Sequence, residues 1–258
     1  MKSLRDIQIL NTALLAALAF APFAVAHADT LNITYFQILH SDKDGGRLCC
    51  STSSDYVKSA LGPDGLPVLN PGGEGSGGAV PDDVLSSTGE LTWWSPALNN
   101  GGAGGTSDVT ETGTGVVTLP FVNNKFYAPN GTGSNDSTLY EAAILSGVLY
   151  APTAETISFT IASDDMAFLY LNGANVCDNG GVHGANSATC TTVTEPAGYY
   201  SLDLFWVDLD PTGAELQFNV TTAGITTSST PEPNSLLLLG SGLLGLAGFA
   251  HRKVGRKA

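Results

Sequence analysis

The chain between residues 29 and 230 reads as an all-β fold, an antiparallel β-sandwich, and three observations lead there. Apolar residues alternate with polar ones at a period of two in several short segments. Turn formers separate those segments, with 31 Gly and 13 Pro in 258 residues. Helical periodicity is nearly absent, and strands at this spacing pack as a sandwich or barrel.

The first alternating segment is Leu31-Asn32-Ile33-Thr34-Tyr35. Residues 71–78 (PGGEGSGG) and 99–107 (NNGGAGGTS) are flexible loops by composition. Between them, Trp93-Trp94 is expected to mark a strand, with at least one indole packed in the core. A carbohydrate-stacking role for the other has no further support in the sequence. Residues 139–149 (LYEAAILSGVL) suit either a short helix or a strand, and a strand is preferred. From Thr156 to Ala162, Ile157, Phe159 and Ile161 alternate with Thr and Ser, as in a half-buried strand. Met166 to Leu171 follows and ends at Asn172-Gly173, a favoured tight-hairpin turn. Tyr200, Leu202, Leu204 and Trp206 share one face of a later strand, and Leu216, Phe218 and Val220 repeat the pattern.

The two ends have a different character. Lys2 and Arg5 precede an apolar run from Ala13 to Ala26, which closes on Ala26-His27-Ala28. This is the form of a secretory signal peptide over residues 1–28, with a helical apolar part too short to span a bilayer comfortably. At the other end Pro231-Glu232-Pro233 precedes an uncharged segment, LLLLGSGLLGLAGFA at 236–250, and then His251, Arg252, Lys253, Arg256 and Lys257. Basic residues beyond an apolar helix hold that end in the cytoplasm, so the segment is expected to be a transmembrane helix with the 29–230 ectodomain outside. Residues 231–258 resemble the PEP-CTERM sorting signal of Gram-negative, biofilm-forming bacteria, which has the same three parts in the same order. The resemblance implies recognition of the tripeptide, and processing of the tail, by an exosortase-type enzyme. It also implies an exported protein at the cell surface or outside the cell, held first in the inner membrane.

The formal charge is −14, and six of the ten Lys and Arg residues lie in the terminal segments. Phosphate binding needs clustered Lys and Arg, so nucleic acid is not an expected partner. Calcium or neutral glycans suit an acidic exported surface better, although acidity by itself serves solubility. All four cysteines, Cys49, Cys50, Cys177 and Cys190, fall in the exported part, where disulfides persist. Three pairings are open, and Cys177–Cys190, stapling one Gly-rich loop, is preferred.

The most informative stretch is SDDMAFLYLNGANVCDNGGVHG at 163–184, followed by AGYYSLDLFWVDLDPTGAELQF at 197–218. Residues of about 120–222 resemble the fibro-slime domain, a relative of the lectin-like β-sandwich of protective antigen and yeast flocculins. The shared features are Ser163-Asp164-Asp165, Asn172-Gly173, Asp178-Asn179-Gly180-Gly181-Val182-His183-Gly184 and Leu202-Asp203-Leu204-Phe205. Lys125-Phe126-Tyr127-Ala128-Pro129 fits more loosely. In the flocculin branch, adjacent aspartates bind a calcium ion that coordinates sugar hydroxyls, and Asp164 and Asp165 match that pair. Calcium takes about 6–8 oxygen ligands, so further oxygens are required, and Asp208 and Asp210 in VDLDPTG are the nearest candidates. The opposing reading is that Asp-Asp at a strand start accepts hydrogen bonds from nearby backbone amides. Met166 departs from the family pattern, which often has a third aspartate there. His183 is assigned to the carbohydrate site with Asp164 and Asp165, and a loop-orienting hydrogen bond is its other reading.

Three functions compete on these grounds: a non-catalytic carbohydrate-binding surface protein, a structural matrix component without a ligand, and an exported glycan hydrolase. The hydrolase reading is the weakest. The ectodomain has only His40 and His183, it lacks a G-x-S-x-G elbow, and adjacent carboxylates rarely face each other across a scissile bond.

Overall fold

Eleven strands form two sheets in the computed structural model, which describes residues 29–40, 52–73, 85–99, 106–123, 139–211 and 213–229. They are β1 (Thr30–Leu39), β2 (Val109–Thr118), β3 (Phe121–Asn123), β4 (Leu139–Ala151), β5 (Glu155–Asp164) and β6 (Met166–Leu171). There follow β7 (Ala174–Asn179), β8 (Asn186–Glu195), β9 (Gly198–Asp208), β10 (Glu215–Val220) and β11 (Thr226–Ser228). The large sheet has the order β2-β1-β4-β9-β6-β7, with β11 also paired to β4; the small sheet has the order β3-β10-β5-β8. All pairings are antiparallel. The expected β-sandwich is therefore observed, and residues 139–149 lie in a strand. The signal-peptide segment, the 236–250 segment, the sorting tripeptide, Cys49, Cys50 and the 125–129 stretch lie outside the described residues.

Period-two alternation places the core. Ile157, Phe159 and Ile161 of β5 and Leu216 and Phe218 of β10 face Leu145, Leu149, Leu202, Leu204 and Trp206 of the large sheet. A second apolar cluster covers part of the large sheet's other face. It includes Phe36, Ile38, Tyr140, Phe168, Tyr170, Phe205 and Val207 from the strands, and Tyr56, Leu69, Leu91, Trp93 and Trp94 from residues 52–99. β6 is consequently buried at all six positions, because its even residues enter one cluster and its odd residues the other. Burial on both faces is why this strand is a continuous apolar run.

Trp93 and Trp94 are not in a strand; both sit in a turn and are 0 % and 3 % exposed. Two adjacent residues of a strand would point to opposite faces, whereas a turn lets both indoles enter the same cluster, edge to face at 5.5 Å. Neither indole is available for stacking on a sugar. Trp94 Nε1 instead donates to the carbonyl of Trp206 at 2.8 Å, which ties the covering segment to β9.

Asn172 and Gly173 both have positive φ, 47° and 76°, as the hairpin between β6 and β7 requires. Cys177 of β7 and Cys190 of β8 form a disulfide, which joins the edges of the two sheets. Closing a loop with a sequence separation of 13 constrains the unfolded chain by about 3 kcal/mol. The Cys177→Ala/Cys190→Ala double variant is expected to lose stability of that order in urea denaturation, with the far-ultraviolet spectrum retained.

Candidate metal and ligand site

The site forms where the chain leaves the small sheet for the large one. Asp164 is the last residue of β5, Asp165 is the connector, and Met166 opens β6. β6 pairs with β9 so that Met166 lies opposite Val207, which places Asp208, the last residue of β9, beside the connector. One oxygen from each of Asp164, Asp165 and Asp208 lies within 4.8 Å of the others, and the three residues are 8 %, 0 % and 0 % exposed. The Asp164–Asp165 peptide is cis.

Backbone amides hold these carboxylates in place. The N–H of His183 donates to Asp165 Oδ1 at 2.8 Å, and the N–H of Leu209 donates to Asp165 Oδ2 at 2.9 Å. The N–H of Asp210 donates to Asp208 Oδ1 at 3.0 Å. Trp206 Nε1 donates to the carbonyl of Asp164 at 3.0 Å, so the indole chain that starts at Trp94 ends at the connector. Asn179 Nδ2 donates to Ser163 Oγ and to Asn186 Oδ1, at 2.8 and 2.7 Å, joining β7 to the paired strands β5 and β8 of the small sheet.

Of the four acidic residues the sequence nominates, three are brought together. Asp210 lies beside them, half-buried, and acts on Asp164 through its charge. His183 meets the site through its main chain. Its Nδ1 is 3.1 Å from the carbonyl of Gly184, and because a carbonyl only accepts, the Nδ1 proton faces it. Nε2, the other ring nitrogen, is buried and has no hydrogen-bond partner. Met166 packs into the second apolar cluster, so its side chain belongs to the opposite face of the sheet from the carboxylates.

Gly213 is a site residue the sequence reading passed over. Its φ is +108°, and a Cβ there would lie 2.4 Å from Asp164 Oδ2. The Pro-Thr-Gly run at 211–213 is visible in the sequence as a turn. What the glycine approaches becomes visible only once β10 is laid beside β5, with Glu215 opposite Asp164.

Burial and like charge dominate the electrostatics. Burial first, and then Asp165, Asp210 and Glu215, push the Asp164 carboxyl up to about 8, against one backbone hydrogen bond. Burial raises Asp165 as well, opposed by the Leu209 and His183 amides. On the adjoining strand, burial pushes Asp178 up to about 6; its Oδ2 accepts from the N–H of Val57 at 2.9 Å and its buried Oδ1 has no partner. A cluster of carboxylates that resists ionisation on its own suits a divalent cation, which supplies the missing positive charge. Oxygen-only donors favour a hard ion such as calcium over zinc.

A protein-family model described as the PEP-CTERM protein-sorting motif matches residues 229–253, and the chain carries that motif. No curated protein matches the chain. Among solved structures, the chain is similar to the PA14 domain of the antifreeze protein MpAFP, at 20 % identity over 44 % of this chain and 72 % of that one, with a TM-score of 0.32. It is also similar to a PA14 sugar-binding domain from an RTX adhesin, at 20 % identity over 35 % and 56 % of the two chains, TM-score 0.29. A family 35 carbohydrate binding module from an environmental isolate aligns at 21 % identity over 43 % and 89 %, TM-score 0.28. Overlaps this partial add nothing to the site's own geometry.

Two outcomes follow from this geometry. The Gly213→Ala variant is expected to displace the Asp164 carboxylate and to lower Tm below the wild type in thermal melts. For pH, Asp164 and Asp178 titrate above their ordinary value of 3.8 in the fold, so the fold favours their neutral forms. Their contribution is complete below about pH 4 and is lost as pH rises through about 6 and then about 8. Thermal melts of the calcium-free protein should therefore show Tm falling as pH rises through that window, with Asp164→Asn flattening the upper part. A wild-type Tm that stays level would contradict the assignment.

Proposed function

We propose that the ectodomain is a non-catalytic, calcium-assisted carbohydrate-binding head on an exported surface or matrix protein. The observation that carries this reading is the meeting of Asp164, Asp165 and Asp208 within 4.8 Å in a buried corner. These three would hold the ion, with Asp210 as a further oxygen donor on the same loop. Bound calcium would offer open coordination positions to vicinal sugar hydroxyls. The chain's own share is to fix the carboxylates through the His183 and Leu209 amides and to keep Asp164 oriented through Trp206 and Gly213. His183 Nε2 is a buried polar atom without a hydrogen-bond partner, which a bridging water would satisfy. The sorting motif supports export and engagement by an exosortase-type enzyme; in this reading the membrane is a transient partner, and the ligand proposed for the acidic corner is an extracellular polysaccharide.

The structural-matrix alternative also has an observation behind it. Both oxygens of Asp165 already accept backbone amides, so part of the cluster serves the fold whether or not an ion is present. Hydrolysis fits poorly. An acid and base must flank a glycosidic bond from either side, whereas these three carboxylates gather in one buried cluster.

Calcium titration calorimetry on residues 29–230, beside the Asp164→Asn/Asp165→Asn variant, separates the readings. Binding in the wild type that vanishes in the variant is expected, followed by calcium-dependent retention on a glycan array. A wild-type protein that binds no calcium would sink the calcium-assisted mechanism and leave the structural reading.

A further inference from the structure

β4 has two strands end to end along one of its sides. β11 pairs with it from Thr226 opposite Tyr150 to Ser228 opposite Val148, and β1 pairs with it from Asn32 opposite Ser146 onward. Both run antiparallel to β4, so β11 ends where β1 begins. The chain's exit from the fold therefore abuts its entry. Side chains fasten the junction: Asp29 Oδ1 accepts the N–H of Thr227 at 2.9 Å, and Thr30 Oγ1 accepts the N–H of Ser229 at 3.2 Å. Gly147 makes room for it, since a Cβ there would lie 2.7 Å from the carbonyl oxygen of Ser228 and from Leu31 Cδ2.

This fastening is also weak in specific ways. β11 has three residues and pairs with β4 alone. Thr227 is 2 % exposed, yet its buried hydroxyl has no hydrogen-bond partner. A small cavity bordered by Leu119, Pro120, Val220 and Ile225 lies against the same strand. The sorting tripeptide begins at Pro231, so a single residue, Thr230, separates it from the last fastened amide.

We infer that the β1–β11 junction is the surface on which the enzyme reading the sorting motif meets the fold, and that β11 must leave β4 for the tripeptide to be read. With β11 paired to β4, one residue separates the last fastened amide from the tripeptide, so whatever binds the motif meets the edge of the fold. β11, short and incompletely satisfied, is the segment that can yield without disturbing the sandwich.

The test is a lock placed across the junction. Thr30 Oγ1 and Ser229 Oγ are 3.4 Å apart, so Thr30→Cys with Ser229→Cys puts two sulfurs within reach of a disulfide. Expressed as the full chain in a bacterium with the processing machinery, the oxidised lock is expected to retain its tail by mass spectrometry. Each single-cysteine variant should lose the tail as the wild type does. A Gly/Ser spacer of about eight residues, roughly 15 Å in mean reach, inserted after Ser229 should restore processing of the locked chain. An oxidised lock processed at the wild-type rate overturns the inference, as does a locked chain that the spacer fails to restore.

Discussion

The connector between β5 and β6 is the constraint on which the rest of the sandwich depends. The chain must pass from the small sheet to the large one there, and it does so with two successive aspartates that are almost completely buried. A buried carboxylate without partners would be intolerable, so its neighbours are arranged around it. Leu209 and His183 supply amides, Trp206 supplies an indole N–H, and Gly213 supplies space. These groups come from the end of β9, the loop after β7 and the turn before β10. The corner thus fixes the relative position of both sheets while gathering acidic side chains in one place.

Satisfying the carboxylates with amides does not neutralise them. Each amide contributes a partial charge, while Asp165, Asp210 and Glu215 all bear on Asp164 with the wrong sign. The outcome is a site that folds readily with protons on its carboxylates and favours a cation once they leave.

Much of the sandwich was legible because its strands have unequal faces. β5 and β10 alternate cleanly, since one side of the small sheet is open to solvent, and Asn172-Gly173 announced its turn. The second apolar cluster was not legible. Residues 52–99 contribute turns and isolated bridges, so Tyr56, Trp93 and Trp94 follow no period that would mark them. The adjacent pair Asp164-Asp165 could be read directly, and Asp208 could be named from its nearness in a Gly-Pro loop. That Asp208 closes the cluster while Asp210, of the same parity, stands aside depends on where β9 ends. Asp208 continues the face of Leu204 and Trp206 toward the small sheet, and Asp210 lies past the strand end. Gly213 illustrates the harder case, where the partner that makes a glycine necessary lies 49 positions away in the chain.

β4 also sets the distance between the acidic corner and the β1–β11 junction. Its Glu141 lies opposite Asp208, at the level of the acidic corner, and its Val148 lies opposite Ser228, at the level of the junction. Seven residues of extended strand separate those levels, a span of about 24 Å at 3.4 Å per residue. Between them β4 is paired with β9 at every position. Release of β11 at one level therefore leaves the carboxylates at the other in register. The corner and the junction are therefore separate regions of one strand, joined only through its backbone.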